Sequence, residues 1–413
     1  PFPEMYFSNL RLPRWRIPFT DPARLPLGES KTFQFEDFSL ADDSFTFNLY
    51  EGELTIAFPA EGEVFGVRLA PTDAVLPLQG VTFRNFSFAG VVEPFRVPCL
   101  SLPQSLSVEG ILLGDESMVE NVAMSFHLLN MSKLFVDSLA LSLDGTAYEL
   151  NPAKLTMEQL GDDVLSLDFN GSTFSLPDLE VKMEGFRAGI RLASVDPLAT
   201  AGPQELYFDA IRYGSLAITD GRLFFSLDAN GTFAIHDGEA KLLGGSLVFE
   251  PTRFDLFGEE TYVTLRLRNL DGSRIASLFE KFDGEITGTF SGRIPLRKAA
   301  GQLGLTGGFL ELNKGFPGRL RYRSDGLLTE GMQPAGSEYK LRRNTELALK
   351  DLDLKRLRLD FVEEDGERQI QGQVQGKAQI DKKTTIDLNY RPRIHVDLWE
   401  LLQEIDFETL GLD

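Results

Sequence analysis

The side chains able to do chemistry are few and scattered. Three histidines, His127, His236 and His395, lie far apart in the chain, so none shares a metal-ligand or general-base spacing with another. His395, in "RIHVDLW", falls on the polar side of an alternating stretch, as a surface or edge histidine would. Cys99 is the one cysteine, which removes an internal disulfide and a cysteine metal cluster. That count leaves two compartments open, a reducing interior or a bacterial envelope without disulfides. No H-E-x-x-H, C-x-x-C, Walker A loop or G-x-S-x-G elbow occurs. The glycine pairs of "LGGS" at Leu243 and "LTGGF" at Leu305 lack the spacing and following helix that phosphate binding requires. The 62 carboxylates could supply a glycosidase pair, yet most stand beside turn glycines or on alternating polar faces. "FVEEDGER" lacks the alternate ligand spacing of a calcium loop. Asn-x-Ser/Thr matches at Asn85, Asn130, Asn170 and Asn230 are common by chance. The residues predict no catalytic group, no metal site and no cofactor.

Charge narrows the partners. A formal charge of −21 with pI about 4.7 denies the basic footprint that a nucleic-acid reader needs. Broad electrostatic attachment to anionic lipid surfaces is disfavoured for the same reason. Hydrophobic residues at 42% and charged residues at 25% mark ordered material. No run approaches the length of a transmembrane helix. The opening "PFPEMYF" carries neither an initiator Met nor a signal-peptide pattern, so the chain is expected to be a mature product or an excised fragment.

The elements that must position any site are strands. Apolar residues recur at every second position in "SFTFNLY", "SLALSLDG", "VLSLDFNG" and "YVTLRLRNL", the mark of a strand with one face covered and one wet. Phe, enriched at 33 copies, favours strands, and the 38 glycines mark turns and close approaches. Twelve of the 21 prolines precede residue 104, and every Asp-Gly or Asn-Gly pair follows residue 143. Such pairs favour the tight turns of hairpins. The reading is therefore a Pro-punctuated β-rich segment over 1–200 and a succession of hairpins over 201–413, with a soft boundary near Asp196 to Gln204. Helical spacing appears near 273–282, with Asp271 or Ser273 as N-cap, and near 398–406. "NPAKLTMEQL" from Asn151 is a weaker third helix.

Two stretches share one face pattern. "QIQGQVQGKAQI" sets Ile370, Gly372, Val374 and Gly376 against glutamines. "DGEITGTFSGRI" sets Ile286, Gly288, Phe290, Gly292 and Ile294 against Thr and Ser. Together with Val263, Leu265 and Leu267 these form the candidate apolar face. The glycines on it allow two readings: bends and close sheet contacts, or room for a guest chain.

The C-terminal half is similar to the YdbH-like family of the AsmA-like group, whose C-terminal region often bears the label "dicarboxylate transport". The resemblance runs over about residues 205 to 405. It is carried by "DGRLFFSLDANGTFAIHDGEAKLLGGSLVFEP", "GEITGTFSGRIPL", "PGRLRYR" and "LNYRPRIHVDLWELL". It implies a mainly β fold, an elongated, twisted, mostly antiparallel sheet curled into an open hydrophobic groove with a few short amphipathic helices. It further implies a non-enzymatic periplasmic protein of a diderm bacterium, anchored in the inner membrane by a segment outside this chain. The cargo would be phospholipid, or acyl chains, moving between inner and outer membrane. A small outer-membrane lipoprotein would dock by strand addition. The twelve apolar-face residues above would line the groove. The "dicarboxylate" label finds no converging basic residues. Rival readings are a scaffold with dry sandwich cores, an outer-membrane barrel, and a glycan-acting enzyme.

Overall fold

In the computed structural model the chain is mainly β, with antiparallel pairing in every register given below. Described are residues 9–11, 30–41, 46–57, 65–76, 81–92 and 101–395, the last without 114–115, 131–132, 144, 161–163, 196, 215, 256–257, 259, 279–281, 300–301, 327, 330–335, 365–366 and 382–383. The expected helix near 398–406 lies outside them. Two compact units divide at Ala193 and Ser194.

Unit 1 is a meander. It begins with β1 (Asn9–Arg11), β2 (Ser30–Ala41), β3 (Thr46–Ala57), β4 (Phe65–Leu76) and β5 (Val81–Val92). It continues through β6 (Gln104–Leu113), β7 (Glu116–Asn130), β8 (Lys133–Leu143), β9 (Thr146–Leu150), β10 (Leu155–Gln159), β11 (Leu165–Leu176) and β12 (Val181–Val195). Each long strand pairs with the next, as Leu54 does with Leu69 and Phe88 with Leu106. The segment from Asn151 is not a helix. Its apolar residues Leu155 and Met157 instead alternate along β10, paired with Phe169 and Leu167 of β11.

Unit 2 holds β13 (Leu198–Thr200), β14 (Gln204–Tyr213), β15 (Leu216–Leu227), β16 (Thr232–Leu242), β17 (Gly245–Phe249), β18 (Thr252–Asp255) and β19 (Glu260–Asp271). Helix α1 (Gly272–Ala276) follows, capped by the Asp271 carboxylate, which accepts from the Ser273 amide at 2.8 Å. Next come β20 (Gly284–Thr287), β21 (Thr289–Ala299), β22 (Gln302–Leu305), β23 (Phe309–Leu312) and β24 (Gly318–Tyr322). Helix α2 (Ser337–Leu349), which the sequence pattern did not announce, precedes β25 (Leu352–Glu364), β26 (Glu367–Gln379), β27 (Thr385–Tyr390) and β28 (Arg393–His395).

Many long strands carry a bulge near their middle. Asn85, Asn121, Asp220 and Asn269 adopt positive φ there, as do Gly171 and Gly185. Registers shift across Glu120/Ala123 on β7, Thr219/Arg222 on β15 and Leu267/Leu270 on β19. The extra residue bends the strand and lets the inward set change parity. On β19 Leu265 and Leu267 face the core, and beyond Asn269 it is Leu270 that does. Three of the Asn-Gly or Asp-Gly pairs, at Asn170, Asp220 and Asp237, therefore lie within strands and not at hairpin turns. An Asp271–Gly272 pair starts α1 instead. The same tolerance of left-handed backbone that suits these residues to tight turns suits them to bulges.

Candidate functional site

Following pairings from strand to strand in unit 1 gives one apolar row. Leu54, Leu69, Phe88, Leu106, Met124, Leu139, Leu150, Phe174 and Met183 are each the direct cross-strand neighbour of the next. Direct neighbours bring side chains close enough to touch. At about 4.8 Å per strand the eight steps cover roughly 38 Å. Of these nine, Leu69 and Leu150 alone are fully buried; the others stay half-open. The last part of the row enters a half-open cavity of about 360 Å³ with an apolar wall, formed by Leu139, Leu150, Phe174 and Met183 together with Leu141, Tyr148, Phe169 and Phe186. Phe169 meets Phe186 edge-on with centroids 5.0 Å apart, and Tyr148 tilts against Phe174 at 6.1 Å.

On the reverse face of the same strands the row is Ser87, Ser107, Ala123, Ala140, Glu149 and Ser175. Five serines and three alanines line a half-open trough of about 650 Å³ here, with Arg68, Glu149 and Asn151, and Leu69, Pro71, Phe88, Leu106, Met124 and Leu139 also border it. It is the larger of these two hollows, but its wall mixes serine hydroxyls with apolar groups, whereas the smaller cavity is walled by apolar groups throughout and is the better seat for hydrocarbon.

In unit 2 the corresponding row is Ala240, Leu247, Leu267, Gly292, Leu310, Leu359 and Gly372. It gathers Leu267, Gly292 and Gly372 from three different strands. Leu265 lies beside Ile294 and Val263 beside Leu296. Phe290 pairs with Leu312, Val374 with Leu357, Ile370 with Phe361, Gly376 with Leu354 and Ile286 with Leu320. Of the twelve candidate residues Leu267, Phe290, Gly292, Ile370, Gly372, Val374 and Gly376 are buried, and Val263, Leu265, Ile286, Gly288 and Ile294 half-buried, Gly288 lying between β20 and β21.

The glycines on this face mark close approach. A Cβ at Gly292 would stand 2.2 Å from the Phe309 carbonyl oxygen, one at Gly376 2.4 Å from that of Asp353, and one at Gly372 2.6 Å from Pro392 Cγ. Gly288, at φ 114, would bring Cβ to 2.7 Å from Leu312 Cδ1. It also breaks "EITGTFSGRI" into β20 and β21, whereas β26 runs unbroken. The glutamine parity of β26 is less wet than its composition suggests: Gln369 is buried and Gln371, Gln373 and Gln375 are half-buried.

The outward face of unit 2 is a lattice of ion pairs. Arg266 and Arg293 are direct cross-strand neighbours, a repulsive placement, and Glu250 bridges them at 2.7 Å and 2.9 Å. Those arginines hold the Glu250 carboxyl below its ordinary range. Arg358 bonds Glu311 and Asp360 and lies 4.1 Å over the Phe309 ring. His127 meets Asp137 at 3.3 Å and His236 meets Ser226 at 3.0 Å; nothing brings the two histidines together. Among the described residues no cluster of His, Cys, Asp or Glu could hold a metal ion, and no helix is long and apolar enough to cross a membrane.

Long antiparallel strands that share an apolar face within each unit define a β-sheet protein organised around apolar strand faces. The chain matches the family profile described as YdbH-like, Intermembrane phospholipid transport protein YdbH, over residues 31–407, and it belongs to that family. The match takes in unit 1, well upstream of the blocks that carry the resemblance in the sequence. No curated protein and no solved structure shows significant similarity to the chain.

Proposed function

We propose that this chain carries phospholipid through the periplasm between inner and outer membrane, without catalysis, its acyl chains lying on the apolar rows. The observation that supports this best is the unit 1 row, half-open along most of its length and ending in an apolar cavity. A half-buried apolar row of that length gains from being covered in water, and the family is described by phospholipid transport. The candidate residues of unit 2 continue the same role where its face is accessible. An inner-membrane anchor outside this chain and a small outer-membrane lipoprotein, added as a strand, complete the route.

The test is photo-crosslinking in the full chain, with reactive residues at Met124 and Phe174 on the row and at Ser107 and Asp168 on the reverse face. Phospholipid should be captured at the first pair and not the second. Equal capture on both faces sinks the reading.

A second reading, a scaffold with dry cores, draws support from the dense cluster of unit 2, where Phe290 and Leu270 are 3% and 2% exposed. Native mass spectrometry of the purified protein separates the two, since a scaffold retains no lipid.

A further inference from the structure

One element closes the apolar face at the end of unit 2, and few bonds hold it there. Only the last turns of α2 face inward: Glu346, Ala348 and Leu349 are buried, while Leu341 is 69% exposed. The helix starts at Gly336 without a side-chain cap. Ala348 and Leu349 join the cluster that includes Leu352, Leu354, Val374 and Ala378. The helix packs against β24, β26 and β27.

The remaining tie is polar. The Glu346 carboxylate, 4% exposed, accepts from the Leu328 amide at 2.6 Å, the Thr329 amide at 3.1 Å and the Thr329 hydroxyl at 3.0 Å. Arg343 donates to it at 3.2 Å. A buried carboxylate is costly unless its lone pairs are met, and here four donors meet them. Nearby, Asp325 pairs with Arg343 at 3.3 Å and Lys350 at 2.7 Å, and Arg342 reaches the Leu328 carbonyl at 3.5 Å. The buried Glu346 clasp, these more exposed contacts of Asp325 and Arg342, and two apolar side chains therefore fix a helix of 13 residues, a length marginal by itself in water.

Beneath the helix the sheet has no slack. The space that a side chain at Gly376 would need is held by the Asp353 carbonyl and Leu352. An acyl chain reaches this end only if something leaves, and α2 leaves without any strand unpairing.

We propose that α2 is a latched cover, held shut by the Glu346 clasp, whose release admits an acyl chain onto the β26–β27 end of the apolar face. The inference rests on the lipid-carrying reading above. A clasp of hydrogen bonds suits a moving part, because water replaces its bonds on opening, whereas a larger apolar contact would have to be exposed.

The test places a photoreactive residue at Leu388, half-buried on β27 opposite Gly376, or at Phe174 in unit 1. Both are set in the full chain with Cys99→Ser, mixed with vesicles of equal parts phosphatidylethanolamine and phosphatidylglycerol. A hydrogen bond to a charged group is worth about a factor of ten in an equilibrium. Glu346→Gln and Thr329→Val should each raise capture at 388 by about that factor, with capture at 174 unchanged. Thr329→Val keeps the carboxylate and the side-chain volume, so it carries the test if Glu346→Gln fails to fold by circular dichroism. Tying Thr329→Cys to Glu346→Cys with a short bismaleimide should lower capture at 388. Faster amide exchange in α2 with no gain in capture at 388 overturns the cover, as does undiminished capture in the tied protein. Capture at neither position removes the lipid-carrying reading, and this inference with it.

Discussion

Units 1 and 2 are woven from the same material and treat their apolar faces differently. In unit 1 the fully buried clusters are small, one around Phe35, Leu49, Leu69 and Ala74 and another around Val136, Leu150, Ala153 and Leu155. The row from Phe88 to Met183 is large-on-large, and most of it packs at the margins of these clusters, where its side chains stay half-buried. In unit 2 one cluster reaches from Leu242 to Ala378 and takes in residues of α1 and α2. There the row alternates leucines with Gly292 and Gly372, so backbone presses in where side chains are missing. Glycine on a sheet face lets a neighbouring backbone settle close, and the described residues of unit 1 put no glycine on that row.

The sharpest attempt to break this contrast removes one aromatic ring from each unit. Phe290→Ala, in the filled face, should cost about 3–5 kcal/mol in urea unfolding, the usual price of a fully buried Phe. Phe174→Ala, at an open cavity, should cost about 1 kcal/mol, since its ring is already half in water. Equal losses would mean that both faces are packed alike.

Glycine offers a smaller, two-signed comparison. Gly292→Ala forces a carbonyl and a Cβ into the same space and should destabilise unit 2 by about 1–3 kcal/mol. Gly189→Ala on β12 meets nothing within 4 Å and should be neutral or stabilise by up to about 1 kcal/mol. Thermal unfolding of the two variants reads both signs.

Acid gives the smallest effect and belongs to unit 2. Hydrogen bonds from Arg293 and Arg266 depress the Glu250 pKa below its ordinary 4.5. For Glu346 burial pushes the other way, but the bonds from Leu328, Thr329 and Arg343 outweigh it, and its pKa is lowered too. Groups depressed in the folded state lend stability that is fully present above the ordinary value and is lost as pH falls through the folded one. Unit 2 should therefore weaken below about pH 4.5. Glu250→Gln should flatten that slope and, at neutral pH, cost under about 1 kcal/mol.

Much of this was legible from alternation. The period-two pattern marks β8, β11, β19 and β26 as strands, and where a strand runs without a bulge, as from Val263 to Leu267 and from Ile370 to Gly376, one parity shares one face. The Asp271 cap and the start of α1 follow from local chemistry in the same way. Other features depend on partners distant in sequence. α2 is polar along most of its length, and its inward residues become apparent only once β24 and β27 are beside it. The row of unit 1 is assembled from nine strands, one residue from each, so no stretch of sequence displays it. The Asn-Gly and Asp-Gly pairs mislead because tight turns and bulges ask the same thing of the backbone.

The mid-strand bulges at Asn121, Asp220 and Asn269 have a further consequence, for how such a chain can change. Each adds one residue that the neighbouring strand does not match, so the sequence parity of the inward set differs on its two sides. A one-residue deletion at Asn269 would remove the unmatched residue and restore strict alternation, leaving Val263, Leu265 and Leu267 where they are and Leu270 still inward opposite Phe290. A bulge is thus a spare letter in the strand: losing it there garbles neither side, whereas a loss anywhere else in the strand turns residues over.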